Sequence, residues 1–184
     1  MKNYKISLAG DLGSGKSTIG DVLAKKYSME KVSIGVILRD LATEHGMNVT
    51  EFNKYMETHP EIDNELDNKL KSYEEVNGNF LFDSRLAWHF VPSSFSVYMK
   101  ADIKTSAERI LNAGRSTETY ADLNEAISQL KNRRKSESLR YKTLYGVDIL
   151  DMNNYDFVIE TDDKTVTQVA EEIQTAFEKW LQNR

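Results

Sequence analysis

Cysteine is absent from the 184 residues, which excludes disulfides, thiolate nucleophiles and thiolate metal sites. Proline is nearly absent: Pro60 and Pro92 are the only two, and neither lies in a linker that would cut the chain into domains. No apolar run approaches the ~20 residues needed to cross a membrane. Basic residues are in the minority, with a formal charge of −5, so no nucleic-acid partner is expected. Any polyanion site has to be a local basic cluster. Repeats and low-complexity segments are missing as well. Met1-Lys2-Asn3 runs straight into an apolar stretch and leaves no room for a signal peptide, so a cytoplasmic protein is expected. Hydrophobic residues at 40% and charged residues at 29% are those of a soluble globular protein. The expectation is one domain over residues 1–184 with a full core.

The informative stretch is Gly10-Asp11-Leu12-Gly13-Ser14-Gly15-Lys16-Ser17-Thr18. It fits G-x-x-x-x-G-K-[ST], and its context fits: Tyr4 to Ala9 reads as a buried strand and Ile19 to Tyr27 as a helix. Glycines let the backbone turn tightly and aim several N–H groups, with the positive helix end, at one anion. In this pattern Lys16 reaches the outer phosphates and the Ser17 hydroxyl ligates Mg²⁺. The stretch announces a bound nucleoside triphosphate. It does not say what becomes of the phosphate.

Beyond the loop, short apolar runs alternate with helical patterns. Glu30 to Ser33, Phe80 to Phe82, Phe95 to Lys100 and Phe157 to Ile159 read as strands. Helices are expected over Ile34 to His45, from an N-cap at Thr50 to Thr58, from Pro60 to Val76, and over Thr105 to Leu111. A long charged helix follows over Leu123 to Tyr145, and a last one over Thr165 to Leu181. Such alternation predicts an α/β fold with a five-stranded parallel sheet and helices on both faces. Ligands of such folds sit beyond the C-terminal strand ends, where the glycine loop, Ser33, Asp83 and Lys100 all fall.

Asp83 closes an apolar strand; it is either a Mg²⁺-holding carboxylate or a helix N-cap. Arg39 and Arg85 face either a second anion across the cleft or solvent and rim ion pairs. On the long helix, Arg133, Ser136, Glu137 and Arg140 follow i, i+3, i+4, i+7 and share one face. That face is either a solvated charge run or a set of guanidinium groups for phosphates, with Arg115 in the preceding polar loop able to join them. His45, His59 and His89 lack metal-ligand spacing and read as surface or packing residues, as do Trp88 and Trp180.

Together these stretches resemble the cytidylate kinases among the nucleoside monophosphate kinases, in the compact form. The resemblance rests on the glycine loop, Ser33 to Arg39, Gly46-Met47, Glu51 to Tyr55, Pro60 to Asp63, Ser84 to Ala87, Arg133 to Tyr141, Tyr145 to Ile149 and Tyr155-Asp156. It implies a P-loop core with a helical acceptor-binding insertion at about 34–77 and a short lid at about 113–119. Donor ATP would lie on Gly10, Gly13, Ser14, Gly15, Lys16, Ser17 and Thr18, with Arg115 in the lid. Mg²⁺ would sit at Ser17 and Asp83. Ser33 would touch the nucleobase, Arg39 and Arg85 would grip the acceptor phosphate, and Arg133 and Arg140 would bridge donor and acceptor. Asp83-Ser84-Arg85 stands where the family usually has Glu-Gly-Arg, which bears on substrate preference.

The expected reaction is transfer of the ATP γ-phosphoryl group to CMP or dCMP by a monomer that touches neither membrane nor nucleic acid. A kinase for UMP or another small acceptor would share the same residues. A nucleotide-dependent switch is the rival of another class. For a GTPase the guanine signature N-K-x-D is missing, because Asn53-Lys54 continues with Tyr55-Met56.

Overall fold

The structure is a computed structural model that describes residues 3–113 and 120–183. Five parallel strands stand in the order β2-β3-β1-β4-β5. They are β1 (Lys5–Gly10), β2 (Glu30–Ser33), β3 (Phe80–Asp83), β4 (Phe95–Lys100) and β5 (Phe157–Glu160). Central strands β1 and β3 are buried at every residue, which is why both read as nearly continuous apolar runs. Register places Leu8 beside Asp83 and Gly10 beside Met99, so three strands end around the glycine loop.

Helices cover both faces. On one side α1 (Lys16–Tyr27) and α8 (Val166–Gln182) pack Ile19, Leu23, Ile173 and Phe177 against β1 and β4. Phe177 is fully buried and meets Tyr4 and Tyr27 edge-on at 5.7 and 5.3 Å between ring centroids. On the other side α4 (Pro60–Ser72), α5 (Ala87–Phe90) and α7 (Leu123–Tyr145) bring Leu70, Phe90 and Tyr141 onto Val32, Phe80 and Phe82. Helix α6 (Ile103–Ala113) packs Ala107 and Ile110 on α7. Helices α2 (Ile34–Glu44) and α3 (Val49–Met56), with α4, enclose their own apolar cluster of Ala42, Phe52, Met56 and Leu66.

Boundaries differ from expectation in identifiable ways. Asn48, rather than Thr50, caps α3: its side chain accepts from the Glu51 N–H while Glu51 reaches back to the Asn48 N–H. This reciprocal box satisfies two end donors at once, whereas Thr50 lies inside the helix. Helix α4 begins at Pro60, where proline costs no hydrogen bond, but stops at Ser72 rather than Val76. Helix α6 starts two residues before Thr105, and the one-turn α5 has too few residues to show periodicity. Thr165 caps α8 through the same box with Gln168.

Candidate active site

Between β1 and α1 the loop needs glycine for steric reasons. Gly13 has φ +74°, and a Cβ there would lie 2.6 Å from the Ser106 carbonyl oxygen; at Gly10 it would lie 2.3 Å from that of Met99. Asp11 fixes the loop from outside. Its carboxylate accepts from the Tyr98 hydroxyl and the Ala101 N–H, both at 3.0 Å, and pairs with Arg134 at 3.2 Å. Lys16 turns inward and donates to the carbonyls of Gly10 (3.0 Å) and Asp11 (2.7 Å). Burial, then the neighbouring Arg85 charge, lowers the Lys16 pKa to about 7.

The Ser17 hydroxyl donates to Asp83 Oδ2 at 2.7 Å, and the Ser33 hydroxyl to the same oxygen at 3.3 Å. Asp83 is therefore no helix cap; Leu86 occupies the cap position of α5. One carboxylate and one hydroxyl beside a phosphate loop are the hard oxygen donors that suit Mg²⁺, which commonly takes its other ligands from water and substrate phosphates. No cluster of three or more acidic or histidine ligands exists among the described residues.

The arginines divide. Arg85 donates from Nε to Glu137 at 2.6 Å and from Nη1 to the Gly10 carbonyl at 2.5 Å. Arg133 donates from Nε to the other Glu137 oxygen at 3.0 Å. Burial resists the charge on Glu137, but Arg85 and Arg133 hold its pKa down to about 2. The expected shared face of α7 is thus buried around an acid rather than solvated. Arg39 lines the cleft from α2. Arg140 does not line it. Its Nε approaches Asp63 Oδ2 at 2.9 Å without hydrogen-bond alignment, and its Nη1 donates to the Asn53 carbonyl at 3.3 Å. The structure thus brings Lys16, Ser17, Asp83, Arg39, Arg85 and Arg133 to one cleft, with Ser33 hydrogen-bonded to Asp83, whereas Arg140 meets it only through Asp63. Arg115 and all but the first residue of the expected lid lie outside the described residues.

The cleft has a volume of about 540 Å³, and its lining extends from the loop to two groups of elements. One group is α2 and α4, with Leu38, Asp63 and Asp67; the other is Arg109, Thr161 and the start of α8. Sequence reasoning missed Asp63, Asp67 and Arg109 as lining residues. Arg109 donates to the Thr161 carbonyl at 2.6 Å and reaches Gly13 O at 3.5 Å. Thr161 directly follows β5, so the strand-end rule that singled out Ser33 applies to it equally. Asp63 and Asp67 are one turn apart beside the Ile62–Leu66–Leu70 stripe, a signal that was available. The histidines pack: His59 stacks on Tyr55 at 3.6 Å, and His89 contacts Trp88, Phe90 and Tyr145. No helix among the described residues is long and apolar enough to cross a membrane.

A glycine loop opening a helix, a serine–aspartate pair beside it and an arginine-lined cleft define a P-loop phosphotransferase. A family model described as AAA domain matches residues 6–131. Cytidylate kinase from Methanosarcina acetivorans is 35% identical over 161 residues, covering 86% of this chain and 87% of that protein. The chain belongs to the cytidylate kinase family. An S-adenosylmethionine-dependent nucleotide dehydratase from Lacinutrix mariniflava is 36% identical over 95% of this chain, but the chain spans only 36% of that protein's length. Among solved structures, shikimate kinase from Bacteroides thetaiotaomicron superposes with a TM-score of 0.62 at 14% identity, over 96% of this chain and 99% of that one, which is a likeness of fold.

Proposed function

We propose that the protein transfers the γ-phosphoryl group of ATP to the 5′-phosphate of CMP or dCMP. The observation that carries this reading is the cleft itself: its lining joins the phosphate loop and Arg85 to α2 and α4, where we seat the acceptor, and to Arg109, Thr161 and the start of α8, where we seat the donor. Family membership supplies the pyrimidine monophosphate as acceptor.

An acceptor phosphate oxygen is already anionic at neutral pH, so the reaction needs no strong general base. That oxygen attacks the γ-phosphorus in line, and the bond to the β–γ bridging oxygen breaks. The rate then depends on alignment and charge neutralisation. Lys16 would exchange the Gly10 and Asp11 carbonyls for donor phosphate oxygens. Arg39 would hold the acceptor phosphate, and Arg85 and Arg133 would flank the transferring group. Ser17 and Asp83 would hold Mg²⁺, which when bound neutralises donor phosphate charge. The insertion at about 34–77 would seat the acceptor, and the lid at about 113–119, carrying Arg115, would close over the donor and exclude water.

An ADP-release assay with CMP, dCMP, UMP, AMP and GMP tests the reading. CMP or dCMP is expected to give the highest kcat/KM. Release without any of these acceptors, or a higher kcat/KM with a purine monophosphate, overturns it.

A further inference from the structure

We infer that Arg134 is a positioning residue for phosphoryl transfer: paired with Asp11, it holds α7 against the back of the phosphate loop and so places Arg133 on the transferring group. The inference rests on the role proposed above for Arg133.

Asp11 is the fixed partner. Its backbone N–H donates to the Met99 carbonyl at 2.9 Å, and its carboxylate accepts from the Tyr98 hydroxyl and the Ala101 N–H, both at 3.0 Å. All three groups lie on β4 or directly after it. Burial, then the Asp11 charge, raises the Tyr98 pKa, so that hydroxyl keeps its proton and goes on donating. The main chain of the same residue faces inward. The Asp11 carbonyl accepts from Lys16 Nζ at 2.7 Å and from Ser14 Oγ at 2.8 Å. Whatever is bound to the Asp11 carboxylate is therefore held in register with the loop that carries Lys16.

Arg134 brings α7 to that partner, with its Nη1 at 3.2 Å from Asp11 Oδ1. Consecutive helical residues point about 100° apart. Arg133 accordingly lines the cleft in front of the loop, while Arg134 lines a separate cavity of about 20 Å³ behind it, with Asp11, Leu12 and Tyr98. Two neighbours on one helix thus take the loop from its two sides. A second polar link from α7 runs through Glu137 and Arg85 to the Gly10 carbonyl. In the proposed reaction Arg85 turns to the transferring group, which loosens that link. Neither Asp11 nor Arg134 lines the cleft, so no substrate competes for their pair. The Arg134 side chain is 43% exposed, so the pair contributes little to global stability. Its effect lies in alignment, where an error of about 1 Å costs up to ~100-fold in rate.

Single-turnover rates of the intact protein at saturating ATP, Mg²⁺ and CMP, with steady-state KM values and thermal melts, test this. Arg134→Met removes the charge and keeps most of the length. It is expected to lower the transfer rate about 10- to 100-fold, with both KM values within about threefold and the melting temperature within ~2 °C of the wild type. Arg134→Lys can still make a single bond to Asp11, so it is expected to come within about fivefold of the wild-type rate. Asp11→Asn is expected to behave like Arg134→Met. With its one oxygen kept on the Ala101 N–H, the amide turns a donor toward Arg134, which has no acceptor. In an Arg133→Ala background, Arg134→Met should change the rate less than about twofold, because no Arg133 remains to be placed. Arg134→Met or Asp11→Asn at the wild-type rate overturns the inference. So does an equal loss in both backgrounds, a loss that Arg134→Lys does not recover, or a melting temperature lowered by more than ~5 °C in Arg134→Met. Wild-type protein that transfers to no pyrimidine monophosphate, or Arg133→Ala at the wild-type rate, overturns the reading beneath and the inference with it.

Discussion

Glu137 binds the Nε edge of two arginines at once, taking Arg85 at 2.6 Å and Arg133 at 3.0 Å. Without it two like charges would be buried side by side. Removing one member of such a buried cluster costs about 3–5 kcal/mol. Glu137→Gln is therefore expected to lower stability by that order and to reduce turnover. The pH dependence has a definite sign. The folded pKa of about 2 lies below the ordinary 4.5, so the contribution is fully present above about pH 4.5 and fades as pH falls toward 2. It amounts to about 3 kcal/mol. Urea midpoints between pH 5 and 2 check it: the wild-type curve should fall more steeply than that of Glu137→Gln.

Lys16 sets a proton linkage with ligand. Burial lowers its pKa to about 7 in the free protein, and phosphate should raise it again. Above pH 7, ATP binding is expected to take up a fraction of a proton approaching one and to weaken as pH rises. Calorimetry in two buffers of different ionisation enthalpy measures this uptake; none at pH 8 would remove the phosphate role of Lys16. In Lys16→Ala the uptake should vanish and kcat should fall at least ~100-fold.

Arg39 and Arg85 should separate in kinetics. Arg39 lines the cleft from α2, on the side proposed for the acceptor, whereas Arg85 also holds the Gly10 carbonyl of the glycine loop. Arg39→Ala is expected to raise KM for CMP roughly tenfold or more with little change for ATP, as loss of a charged hydrogen bond would. Arg85→Ala should impair both substrates. Equal effects of Arg39→Ala on the two KM values would place it elsewhere.

Arg133 and Arg140 share a helix face and should nonetheless fail differently. Arg133 lines the cleft, so Arg133→Ala is expected to raise the barrier by roughly 2–4 kcal/mol with modest effects on binding. Arg140 does not itself line the cleft and pairs with buried Asp63, which does. Arg140→Ala should cost about 3–5 kcal/mol in stability and lower the melting temperature by roughly 10 °C. Thermal melts beside single-turnover rates distinguish the two outcomes.

The sheet, its parallel sense and the loop were legible because strand runs and the glycine pattern are local signals. Strand order was not, since nothing in Phe80 to Phe82 says that β3 lies between β2 and β1. Spacing placed Arg133, Glu137 and Arg140 on one face, yet it could not say that this face is buried. It also could not say that Arg140 turns to α4 while Arg133 turns to the cleft. Those choices depend on which helix packs opposite. Asp83 shows the same limit: its position at a strand end was readable, but that it receives the Ser17 hydroxyl at 2.7 Å and does not cap α5 was not.

Phe177 on α8 closes over Tyr4 and Tyr27, from the opposite end of the described chain. During synthesis those residues emerge early and the helix that covers them emerges late. The face of the sheet formed by β1 and α1 therefore has to wait on the ribosome with its aromatic residues uncovered. Chaperone demand and sensitivity to truncation should concentrate there, rather than at the loop where the chemistry takes place.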